Sequence, residues 1–126
     1  MDKIKTSDAD FIAALEAEVK EAGSDFVYPR TYDAEGFKTR CVYVRDGQAS
    51  CLIGRVLHRL GADIEELAEL DRSLSNGASY AIPEVVYGIS RRLLLAASTA
   101  QAFQDRGCEW GEALERFHEY YGTDKG

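Results

Sequence analysis

The sequence predicts a single, predominantly helical α+β domain of about five helices around a short two-stranded β element, and three observations carry that reading. Apolar residues recur at helical spacing over most of the chain. One stretch, from Phe26 to Val44, breaks that spacing and turns β-rich. A length of 126 residues with 45% hydrophobic content suffices for one core and not for two ordinary domains, so residues 1–126 are read as one compact unit.

The elements follow in order. Between Ser7 and Ala22, Phe11, Ile12, Leu15 and Val19 define an amphipathic helix with Ser7 as N-cap and Gly23 as stop. Phe26-Val27-Tyr28 and Cys41-Val42-Tyr43-Val44 read as two strands joined through the Asp33-Ala34-Glu35-Gly36 turn region. Asp46-Gly47 then turns the chain into the next helix, and a second hairpin is not required. In the helix from Ser50 to Leu60, Leu52, Ile53, Val56, Leu57 and Leu60 form the apolar face, leaving Cys51, Arg55, His58 and Arg59 on the other side. Asp63 caps a short helix through Leu70, and Ser73 to Ser79, with Asn76-Gly77, reads as a mobile loop. A long central helix is expected to start near Pro83 and to run through Val85, Val86, Ile89, Leu93, Ala97, Ala100 and Phe103. Its Leu93-Leu94-Leu95-Ala96-Ala97 segment is apolar almost all round, which implies burial in the monomer or a homo-oligomer seam. Gly107 ends it, Trp110, Ala113, Leu114, Phe117 and Tyr121 mark a final helix, and a short flexible tail begins at Gly122.

Charge and cysteine usage narrow the function classes. A net charge of −7 argues against nucleic-acid and anionic-membrane binding, both of which favour a basic surface. With no apolar run of membrane length and an odd set of thiols, Cys41, Cys51 and Cys108, the reading is a soluble, cytoplasmic protein with reduced cysteines. The charge is locally dipolar: Lys38, Arg40, Arg45, Arg55 and Arg59 share a window whose single acid is Asp46, whereas Asp63, Glu65, Glu66, Glu69 and Asp71 crowd the next. The bland interpretation is two solvated faces; the sharper one is an anion pocket or a complementary protein-binding patch.

The stretch from Asp46 to Gly61 carries the most chemistry, because it places Cys51 at a helix start beside arginines. Orphan amides and the positive helix end favour an anion or a thiolate there. Arg40, Arg45, Ser50, Cys51 and Arg55 are therefore the candidate ligand-binding residues, suited to a phosphate or carboxylate of nucleotide type. No glycine-rich phosphate loop accompanies them. For cysteine hydrolysis the candidates are Cys51 and His118, since His58 lies about 10 Å along the same helix and out of direct reach. The cysteines and histidines show no metal-ligand spacing, so neither a metal nor a cofactor is expected.

Cys51-Leu52-Ile53-Gly54 with Val56-Leu57-His58-Arg59-Leu60-Gly61, and later the run from Ala100 to Leu114, resemble motifs in small uncharacterised proteins of actinobacteria and their phages. The resemblance covers about a third of the chain and carries no catalytic residues with it. It implies a small phage-type accessory protein, for which binding a host protein or sequestering a signalling molecule is the natural expectation. The leading expectation is thus a noncatalytic host-protein modulator using the acidic 63–71 segment and exposed aromatics; the alternative is capture of an anionic nucleotide-like molecule, and cysteine hydrolysis comes third.

Overall fold

The computed structural model describes residues 3–28, 43–45, 47–72 and 78–122. Among these the elements are β1 (Ile4–Lys5), α1 (Asp8–Ala22), β2 (Val44–Arg45), β3 (Gln48–Ala49), α2 (Leu52–Arg59), α3 (Ile64–Arg72), α4 (Ala78–Val85), β4 (Val86–Tyr87), α5 (Arg91–Asp105) and α6 (Trp110–Gly122). The fold is predominantly helical α+β, as the apolar periodicity predicts.

The first helix follows its sequence signals closely. Ser7 takes an extended conformation and its hydroxyl accepts the Asp10 amide at 3.1 Å, while the Gly23 amide closes the far end on the Val19 carbonyl. Phe11, Ala14, Leu15 and Val19 turn inward and pack α1 against α2 and α6.

The β structure differs from the expectation. Val44–Arg45 pairs antiparallel with Gln48–Ala49 as a hairpin; the sequence between them is Asp46-Gly47, of which Gly47 takes φ +79° and Asp46 lies outside the described residues. That dipeptide is a strong hairpin signal, and here it prevails over the direct entry into a helix. Val27 makes an isolated bridge to Glu109, and the expected strand partner at 41–42, like the 33–36 turn, lies outside the described residues. A second small sheet joins the N-terminus to the middle of the chain: β1 pairs in parallel with β4, Ile4 opposite Val86 and Lys5 opposite Tyr87.

The long helix from Pro83 is corrected to two helices with a strand between them. Pro83 sits inside α4 and not at a helix start. Its ring removes an amide donor and crowds the preceding turn, and α4 continues for only two residues beyond it. Val86 and Tyr87, β-branched and aromatic, then leave the helix to pair with β1. Gly88 follows at φ +101°, where an added Cβ would lie 2.2 Å from the Thr6 carbonyl oxygen. Ser90 restarts the helix, its hydroxyl accepting the Leu93 amide at 3.0 Å. The expected loop Ser73–Ser79 is shortened in the same way, since Ala78 and Ser79 belong to α4; residues 73–77 lie outside the described residues, as does the tail beyond Gly122.

One core joins these elements. Phe11 and Leu15 from α1, Leu52, Ile53, Val56 and Leu57 from α2, Leu67 from α3, Ile82 from α4, Leu93 from α5, and Trp110 and Phe117 from α6 are all fully buried. Removing each large aliphatic or aromatic side chain from water contributes about 1.5–3 kcal/mol before ordering costs. In α5 the inward positions are Leu93, Ala96, Ala97, Ala100, Gln101 and Gln104, the three alanines leaving little side-chain bulk along the stripe of a helix that packs on α6; Leu94 and Leu95 are half-buried.

Candidate functional site

The start of α2 is where the sequence concentrates its chemistry. Cys51 is the N-cap itself, with extended backbone angles, and is buried rather than lying on the polar face expected for it. Its Sγ accepts the Gly54 amide at 3.4 Å. Gly54 is required for a second reason: a Cβ there would meet the Tyr43 carbonyl oxygen at 2.8 Å, so its absence lets the hairpin backbone lie directly on α2. The Cys-x-x-Gly spacing thus encodes a capped helix start beneath a crossing strand.

The remaining orphan amides of α2 are satisfied from across the core. Leu52 donates to Gln104 Oε1 at 2.9 Å and Ile53 to Gln101 Oε1 at 3.1 Å. Both glutamines are buried on α5, and both donate their side-chain amide to Asp105 Oδ1, at 2.9 Å from Gln104 and 3.3 Å from Gln101. A carboxylate is therefore linked through two neutral amides to the positive end of a helix, which is the charge complement that a bound anion would otherwise provide. The first three amides of α2 are occupied from within the chain.

The other candidate residues are placed as follows. Ser50 Oγ lies 2.5 Å from the Tyr28 hydroxyl, and the Ser50 carbonyl accepts Arg55 Nε–H at 3.0 Å. The Arg55 guanidinium stacks over Trp110 at 5.0 Å and Phe26 at 5.6 Å, an aromatic pair packed edge to face. Arg45 contributes its backbone to β2, and Arg40 and Cys41 lie outside the described residues. Of the predicted set, the structure brings Ser50, Cys51 and Arg55 together. His118 sits on the exposed side of α6 with its Nε2 3.0 Å from Glu16, while the fully buried Cys51 thiol has no surface on which to meet a substrate.

A groove of about 660 Å³ opens beside this start, walled by Glu18 of α1, Gln48 of β3, Arg55, His58 and Arg59 of α2, and Ile64 of α3. Arg59 is fixed by Glu18, whose carboxylate lies 2.6 Å from Nε, and by Glu21. The hydrogen bonds that Arg59 donates to these two carboxylates raise its pKa above the ordinary arginine value. His58 Nδ1 lies 2.9 Å from the Ala62 carbonyl. A carbonyl can only accept, so Nδ1 carries the proton, and Nε2 has no hydrogen-bond partner among the described residues.

The glutamine cap was legible in one respect that periodicity alone did not exploit. Leu93, Ala97, Ala100, Gln101 and Gln104 share the buried stripe of α5, and polar amides in an apolar stripe need partners. The partners themselves are 48 and 52 residues away and carry no local signal.

The fold and site together define a small helical α+β domain with a polar groove at the junction of α1, α2 and the hairpin. Compared with known protein families, curated proteins and solved structures, the chain matches none. Among the described residues no helix is long and apolar enough to cross a membrane, and no group of three or more His, Cys, Asp or Glu side chains is arranged to hold a metal ion.

Proposed function

We propose that this chain is a noncatalytic accessory protein of the phage type that binds and modulates a host protein, and that the acidic face of α3 is its contact surface. The supporting observation is the contrast between two regions. At the start of α2 the donors and the thiol are engaged internally. On α3, Leu67 and Leu70 turn into the core and Glu65 and Glu69 are exposed, as is Asp63 immediately before the helix. An exposed acidic ridge on an ordered helix suits a basic surface on a partner, where charge sets encounter rate and orientation. Nucleotide capture at the helix start is the reading this displaces, because its backbone donors already have acceptors in Gln101, Gln104 and Cys51.

Affinity capture from actinobacterial lysate with the intact chain tests the proposal. A specific host protein is expected to be retained at low salt, and its recovery is expected to fall at least tenfold for the Asp63→Asn/Glu65→Gln/Glu69→Gln variant. A Glu115→Gln/Glu119→Gln variant, altered on α6, should behave as the parent. Equal recovery by the α3 variant, or no specific protein retained, refutes it.

A further inference from the structure

A second groove, of about 410 Å³, opens where β4 gives way to α5, and no described residue of α3 lines it. We propose that it is a binding site for a small amphiphile, an apolar chain ending in one anionic group, with the chain on Ile89 and Leu94 and the anion paired with a cation of the groove wall, Lys3 or Arg91.

The groove follows from the break between α4 and α5. Gly88, at φ +101° and close against the Thr6 carbonyl, turns the chain out of β4, and Ser90 caps α5 only two residues later. Its walls are held in place, Tyr87 by the pairing of β4 with β1 and Ser90 by two hydrogen bonds to Asp8. Pro83, Ile89 and Leu94 are only half-buried in the lining, and Tyr87 is 52% exposed, a large hydrophobic side chain that the fold leaves in water. A concave, mostly apolar surface with a few polar groups is the usual character of a small-ligand site, and the volume falls in the usual range. Walls fixed before the ligand arrives lose little freedom on binding.

Charge selects the ligand. Lys3 and Arg91 are the charged residues of the described lining; both are exposed, and neither has a side-chain partner among the described residues. The neighbouring carboxylates stand outside the lining: Asp8 is engaged by Ser90 and Tyr121, and Glu84 is exposed on α4. Asp8 also answers the positive end of α5, so attraction for an anion rests on the two side chains. In a chain of net charge −7, a groove whose described charges are all cationic runs against the molecular average. The two cations come from different elements and need not converge. β1 enters the parallel pair at Ile4, opposite Val86, so Lys3 precedes the paired segment, while Arg91 follows it beyond Gly88. An amphiphile with one anionic head needs only one of them. A cationic head is repelled by both. An anion without a chain gains only a solvent-exposed ion pair, which is weak, whereas each methylene removed from water adds to binding. The site is independent of the α3 contact.

The test is a titration of the intact, ¹⁵N-labelled chain, followed at the backbone amides of Tyr87, Gly88 and Ile89. Octanoate is the anionic amphiphile, octyltrimethylammonium its cationic counterpart and acetate the anion without a chain, all at matched ionic strength. Saturable shifts at the three amides are expected with octanoate and with neither of the others. Affinity for octanoate is expected to fall about fivefold in a Lys3→Gln/Arg91→Gln variant, whose two exposed positions leave the core intact. Lys20→Gln on α1 and the Asp63→Asn/Glu65→Gln/Glu69→Gln variant should bind octanoate as the parent does. No saturable shift with octanoate, an equal response to octyltrimethylammonium, or unaltered affinity in the Lys3→Gln/Arg91→Gln variant overturns the proposal.

Discussion

Gln104 is the residue on which the start of α2 most depends. It is fully buried, accepts the buried Leu52 amide through Oε1 and donates to the half-buried Asp105 through Nε2. Truncation to alanine leaves the Leu52 amide buried and unpaired, a loss of about 1–3 kcal/mol together with the small void it opens. The expected result for Gln104→Ala is a lowered urea midpoint with an unchanged slope, and a double-mutant cycle with Asp105→Ala should show clear non-additivity. Midpoints matching the parent would mean that the cap is not formed in solution. At this scale the sequence was partly legible: Cys51 and Gly54 announce a helix start, but which of several chemistries the start serves depends on Gln101 and Gln104, about fifty residues away.

Among the elements, α1, α5 and α6 are tied at one corner by Asp8. Its carboxylate accepts the Ser90 amide at 2.8 Å, the Ser90 hydroxyl at 2.7 Å and the Tyr121 hydroxyl at 2.9 Å. Burial pushes the Asp8 pKa upward, but the hydrogen bonds from Ser90 and Tyr121 together outweigh it and hold the group below its ordinary 3.8. A carboxylate with a depressed folded pKa stabilises the fold above its unfolded pKa and loses that contribution as pH falls through the folded value. Asp8→Asn is therefore expected to lower thermal stability at pH 6, with the gap to the parent narrowing as the pH drops below about 4. A gap that is constant with pH would show that charge plays no part in the corner. Ser90 also explains why the interior of the chain was misread. Val85, Val86 and Ile89 continue the apolar spacing of Leu93 and Ala97, which mimics one helix, yet Gly88 and the Ser90 cap break it, and the parallel pairing with Ile4–Lys5 that stabilises the break joins residues about eighty positions apart.

For the whole molecule, periodicity and composition were enough to establish a single helical α+β core, because burial of one face per helix is a local property of the sequence. The strand at Val86–Tyr87 and the groove were not legible, since each arises where segments distant in sequence meet, whereas the hairpin had a local signal in Asp46-Gly47 that competes with direct entry into the next helix. A binding role without catalysis requires that the buried Cys51 be a structural cap and not a nucleophile. Alkylation of the folded chain with iodoacetamide, read at each cysteine by peptide mass spectrometry, examines this directly. Cys51, fully buried and accepting the Gly54 amide, should label only as fast as the domain opens, and far more slowly than the partly exposed Cys108, with protection lost in denaturant. Rapid, selective labelling of Cys51 in the native state would instead identify an accessible, activated thiol and contradict a noncatalytic binding role.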